Sequence, residues 1–286
     1  MENITTTDHI ILMGWHEGGE RILRDLLYRI GRRLPVVLIN DLTPEQFEAI
    51  KDKFSGYELY YVRGDFCRAE ILHKANLRQA RKVVILADRL QDLPREQRDQ
   101  RTLLAALAVK SLNPKIKVCA ELLNPDNRPH LERARVEDII VRGEYDSALI
   151  ASATISAGLF KVLQTLLGTD GPNFWVVKVP PRFQGTALKE FDAYLRNRYQ
   201  ALIIALFTEG QALRLEDLLA DEPSAIDDFI RRKFIEADLT HLFGRHRTDY
   251  LINPPADHII GPNEVAVVIA TEEPSALRKA GLFEQL

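Results

Sequence analysis

The chain has 286 residues, 46% hydrophobic and 28% charged, which is enough for two globular domains with cores of their own. A net charge of −3 and a pI near 6.2 give no basic face for nucleic acid. Two cysteines far apart, Cys67 and Cys119, exclude a disulfide framework or cysteine metal site and fit a reducing cytoplasm. The longest run without a charge, Ser147 to Phe160, has 14 residues where about 20 are needed to cross a bilayer. MENITTTDH lacks the charged start and apolar core of a signal peptide, so the expectation is a soluble chain.

In chain order, His9 to Met13 is a short apolar run that stops at Gly14, as a buried parallel strand would. Glu17 to Arg33 carries Ile22, Leu23, Leu26, Leu27 and Ile30 on one helical face, and Pro35 to Ile39 is a second apolar strand. Thr43 to Phe54 reads as a helix with Thr43 as N-cap and Pro44 in the first turn. Tyr57 to Val62, Lys82 to Ala87, Ile116 to Ala120 and Asp138 to Val141 read as strands. Helices at Arg68 to Ala75, Asp99 to Ser111 and Pro125 to Ala134 lie between them. The alternation predicts an α/β protein with a Rossmann-like, doubly wound parallel sheet.

The first strand-helix turn is the natural ligand position of such a sheet, because backbone amides at a helix N-terminus attract phosphate. Its residues, Gly14, Trp15, His16, Glu17, Gly18 and Gly19, form an imperfect G-x-G-x-x-G pattern without the middle glycine. His16 would crowd a pyrophosphate and Glu17 would repel its charge. Asn40 stands where a ribose-binding carboxylate is expected, and Asp41 follows it. Asp41, Asp65, Asp88 and Glu121 end four strands at the edge where ligands bind; they suit ribose hydroxyls or a hard cation, and equally suit capping or solvated loops.

Glu144 to Leu167 predicts one long apolar helix, packed on its own sheet and on a partner chain. A boundary at Gly168 to Pro172 follows. The division is therefore residues 1–143, a crossover helix and linker at 144–171, and a smaller α+β C-terminal lobe at 172–286. In that lobe Phe174 to Val179, Ala201 to Phe207, Tyr250 to Asn253 and Val265 to Ala270 read as strands, and Thr186 to Arg198 as a helix. An insert at about 211–247 has helical spacing and reads as a hairpin packed on the lobe or a docking surface. An oxidoreductase on this frame would need a proton donor from the lobe, but His241, His246 and His258 fall in the insert and a proline-flanked turn.

Several stretches resemble the regulator of potassium conductance (RCK) domains of prokaryotic potassium channels and the related TrkA-type potassium-transport subunits. They are Ile10 to Gly14 with Trp15, the run VRGDFCRAEILHKANLRQARKVVILAD, IKVCAEL, the helix after Gly143, and YLINPPADHIIGPNEVAVVIA. The resemblance implies a regulatory domain and not an enzyme. It would form a homodimer or a ring of eight at the inner face of the membrane, and bind a nucleotide (NAD or an adenine nucleotide) or Ca2+ to gate a pore on the same or a separate polypeptide. The nucleotide would lie against residues 14–19, Asn40, Asp41, Asp65 and Asp88. Metal-gated relatives imply Asp65 and Glu121 as Ca2+ ligands, with Leu123 in place of a further glutamate and hence a weak site.

Overall fold

A computed structural model of the chain describes residues 4–31, 34–89, 93–156, 158–169, 171–209 and 248–277. The chain divides into two units, the first ending at Phe160 and the second beginning at Lys161.

The first unit is built on a six-stranded parallel sheet in the order β3-β2-β1-β4-β5-β6. The strands are β1 (His9–Met13), β2 (Val36–Asn40), β3 (Leu59–Arg63), β4 (Ala80–Ile85), β5 (Lys117–Leu122) and β6 (Asp138–Val141). Every residue of β1 and β2 is buried, as uninterrupted apolar runs require when both sheet faces are covered. The edge strands β3 and β6 keep exposed positions. Successive side chains point to opposite faces. Ile11, Met13, Val37, Ile39, Val83 and Ile85 therefore share one core with Leu72, Ala105, Val109 and Leu131 of the helices α3 (Ala69–Lys74), α4 (Arg95–Leu112) and α5 (Arg128–Arg133). α1 (Gly19–Ile30) buries Leu23, Leu27 and Ile30, at about 1.5–3 kcal/mol for each large side chain. α2 (Pro44–Lys53) begins with a full capping box, Thr43 and Gln46 each accepting the other's backbone N–H, with Pro44 in the first turn.

Two helices differ from the sequence expectation. α4 starts four residues early, at Arg95 behind Pro94, because Arg98 donates to the Leu93 carbonyl at 2.6 Å and draws the preceding polar stretch into the helix start. The single helix expected over Glu144 to Leu167 is two, α6 (Asp146–Ile155) and α7 (Leu159–Leu167). Ser156 is extended at φ −124° and Gly158 sits at φ +94°, a left-handed angle natural to glycine that no α-helix contains. No residue of α6 is buried within the chain.

The second unit holds an antiparallel sheet in the order β7-β10-β8-β9. Its strands are β7 (Asn173–Lys178), β8 (Leu202–Glu209), β9 (Thr248–Ile252) and β10 (Glu264–Ala270). α8 (Leu188–Tyr199) lays Leu188, Phe191 and Leu195 into a core with Val177, Leu206 and Val268. The predicted insert at 211–247, with His241 and His246, lies outside the described residues. His258 is held 3.0 Å from Glu264, whose carboxylate also accepts the Gly261 amide.

Candidate functional site

β1 ends at Gly14, whose φ of +75° turns the chain sharply; a Cβ there would lie 2.7 Å from the Leu86 carbonyl oxygen. Trp15 then donates its amide to Asp88 Oδ1 at 3.1 Å and accepts the Arg89 amide at 2.8 Å, which ties the turn to the end of β4. Asp88 is 3% exposed. Glu17 forms a surface pair with Arg89.

His16 is buried and fills the turn. Its Nδ1 accepts the Gly18 amide at 2.9 Å, and its carbonyl accepts the Gly19 amide at 2.8 Å. An Nδ1 that accepts is unprotonated, which puts the single proton of the neutral ring on Nε2. Nε2 lies 3.2 Å from Glu121 Oε2, at ion-pair distance but without hydrogen-bond alignment. Gly18 and Gly19 are used for close approach by the protein's own rings: a Cβ on Gly18 would stand 2.9 Å from the His16 ring, and one on Gly19 2.7 Å from the Trp15 indole.

Glu121, inside β5, is the hub of the crevice. Its Oε2 accepts the Ala87 amide at 2.9 Å, and its Oε1 accepts from Arg142, just beyond β6, at 2.8 Å. Burial pushes the carboxyl up, but His16, the Ala87 N–H and Arg142 outweigh it and hold it below the ordinary carboxylate range. The ends of four parallel strands, β1, β4, β5 and β6, thus meet at one carboxylate.

Asp65 belongs to a second cluster. Its Oδ1 lies 3.2 Å from Arg101 on α4 and accepts the Cys67 amide at 3.1 Å, while Arg101 also lies 3.8 Å from Asp88 and 4.9 Å above the Phe66 ring. Burial, reinforced by Asp65, pushes the Cys67 thiol up to about 12, so it is inert as a nucleophile near neutral pH.

The structure brings residues 14–19, Asp88 and Glu121 together, and Arg101 links Asp65 to Asp88. In the sheet, β2, β1 and β4 lie between β3, which precedes Asp65, and β5, which carries Glu121. Asp65 and Glu121, the pair that the sequence resemblance implied as Ca2+ ligands, each have an arginine partner here, Arg101 and Arg142. Among the described residues no group of three or more His, Cys, Asp or Glu side chains is placed to hold a metal. Asn40 is a framework residue: its side chain accepts the Leu42 amide at 3.1 Å and its carbonyl accepts the Gly64 amide and the Tyr61 hydroxyl, both at 3.1 Å. Asp41 follows it, half-buried. The sequence reading missed Arg101, Arg142 and buried Asp99, which accepts the Leu123 and Asn124 amides at 2.9 Å each and shapes the loop after β5. Their signal is partnership across 21 to 36 residues, which no local pattern displays.

Residues 5–120 match the family model described as the calcium-activated potassium channel slowpoke-like RCK domain. The putative potassium channel protein YugO of Bacillus subtilis is 27% identical over 72% of this chain and 60% of its own length. The calcium-gated potassium channel TvoK of Thermoplasma volcanium is 23% identical over 71% of this chain and 56% of its own. The chain thus spans rather more than half the length of these relatives. The human SLO3 gating ring superposes with a TM-score of 0.59 at 14% identity, covering 92% of this chain and 44% of that one, which speaks for a shared fold. Residues 5–120 are thus similar to the RCK domains of potassium channels.

Proposed function

We propose that this chain is a ligand-sensing regulatory domain of a potassium channel, acting at the cytoplasmic mouth of a pore on the same or a separate polypeptide. The observation that carries the proposal is the RCK match over residues 5–120, since a Rossmann-like sheet alone also serves oxidoreductases. The crevice supports it: its imidazole and buried carboxylate are engaged with backbone and arginine partners that tie several strand ends together. In this reading a ligand at the carboxyl ends of β1, β4 and β5 changes how Glu121 links them, and the unit passes that change to the pore.

For the ligand there are two classes. A nucleotide would approach the turn at residues 14–19, the position such sheets use, with Asp41 at the rim and buried Asp88 fixing the turn through Trp15. Calcium is raised by the name of TvoK, although here Asp65 and Glu121 each have an arginine partner. Assembly would use α6, which is apolar yet buries nothing within its own chain; a homodimer, or a ring built from dimers, would cover it.

Single-channel recording in planar bilayers of the pore together with this chain, fused or supplied separately, tests the reading. Potassium current that responds to ADP, NAD or Ca2+, and loses the response when residues 1–286 are deleted, is the expected result. Currents indifferent to that deletion, or turnover of NAD(H) with a hydroxy acid by the purified chain, would overturn it.

A further inference from the structure

The fold implies a nucleotide phosphate at the head of α1, and the residues present do not fit one as the turn now stands. Phosphate binding there depends on backbone N–H groups that point outward, unclaimed, at the helix N-terminus. Here the Gly18 amide is taken by His16 Nδ1 and the Gly19 amide by the His16 carbonyl. The glycines that a phosphate would need for close approach are filled against the His16 and Trp15 rings. His16 itself is 7% exposed, so its ring sits inside the turn and not over it.

We propose that His16 is a built-in occupant of the phosphate position, closing the turn from within and setting how strongly this unit discriminates against nucleotide phosphate. The ring does so from both edges. Nδ1 satisfies the donor at the helix head, and Nε2 stands against Glu121, whose other contacts are the Ala87 amide and Arg142. Removing the imidazole therefore exposes the Gly18 amide beside a Glu121 carboxylate whose charge Arg142 already neutralises. His16→Gly also completes G-x-G-x-x-G, with Gly14, the new glycine and Gly19 in register. The inference rests on the reading of this crevice as the ligand-sensing site, and it concerns what holds that site shut.

Calorimetry with ADP and with NAD, on the wild type and His16→Gly, tests it. The variant should bind at least about tenfold more tightly, the worth of one well-formed hydrogen bond no longer contested by the ring. Equal affinity in the two proteins would overturn the role of His16 while leaving the nucleotide reading intact. Binding by neither at millimolar ligand would overturn both. Because the variant can fail to fold, the wild type supplies a second measurement: nitrogen-15 chemical shifts of the His16 ring near neutral pH. A proton on Nε2, with Nδ1 accepting, is expected; a ring protonated on Nδ1 leaves Gly18 without its acceptor and overturns the proposal.

Discussion

The Arg101 guanidinium on α4 stands 3.2 Å from the Asp65 carboxylate beyond β3. The same side chain reaches to 3.8 Å from buried Asp88, so one cation sits between two carboxylates from different strand ends. Removing it leaves the carboxylates to repel each other where water only partly screens them. Arg101→Ala should cost about 2 kcal/mol, below the full price of a buried pair because Asp65 is about a third exposed. Urea unfolding of both proteins checks this; a midpoint that does not move would show that the bridge contributes nothing.

Much of the sheet was legible because buried parallel strands write themselves as apolar runs, as at His9–Met13 and Val36–Asn40. The capping box at Thr43 and Gln46 was legible for a similar reason, since both partners lie within one turn. At the site, crowding by His16 could be read from the missing glycine. That its Nδ1 caps Gly18 could not, because it depends on a rotamer set by burial. The pairing of Glu121 with Arg142, and of Asp65 with Arg101, follows from strand order, a property of the whole sheet. The break at Gly158 shows the converse failure: apolar periodicity persisted across Ser156 to Gly158, and backbone preference overrode it.

Assembly makes a second prediction. Ile155 is 84% exposed and Ile150 68% exposed on α6, so neither contributes to the core of its own chain. Ile155→Glu should change the unfolding free energy of the isolated subunit by no more than about 0.5 kcal/mol, the range of surface substitutions. In a dimer covered by α6 it would place an unpaired charge in an apolar contact. Light scattering should therefore find the wild type at twice the subunit mass or more, and the variant shifted toward the subunit mass. A wild type that is monomeric at high micromolar concentration would refute the interface.

A third prediction concerns acid. His9 is fully buried and its Nε2 lies 2.9 Å from the Ala75 carbonyl; burial lowers its pKa from 6.5 despite that contact. The unfolded chain then binds the proton more readily, so stability falls as the pH drops below about 6.5. Glu121 is depressed below 4.5 in the fold, so its contribution is present above that value and is lost as the pH falls through the folded pKa. Two successive losses are expected, the first removed by His9→Gln and the second by Glu121→Gln. Denaturation midpoints measured from pH 7.5 to 3.5 decide it; a slope between pH 6.5 and 5 that survives His9→Gln would exclude His9 as its source.

The last prediction concerns calcium. The ion takes six to eight oxygens and gains affinity with each carboxylate directed at it. Glu121 is committed to Arg142 and the Ala87 amide, and Asp65 to Arg101 and the Cys67 amide. A calcium ion at either must displace an arginine that already neutralises the charge, and three strands lie between β3 and β5. Binding to the first unit, if it uses these side chains, should then fall at about 10⁻⁴ to 10⁻³ M, the range of low-charge sites. Asp65→Asn and Glu121→Gln should weaken it independently, because each carboxylate is held by its own arginine. The double variant in a calcium titration reads this directly. Submicromolar affinity in the wild type, abolished by either change alone, would mean that the two carboxylates meet on one ion after a rearrangement that brings β3 and β5 together, and would overturn the account of the crevice given above.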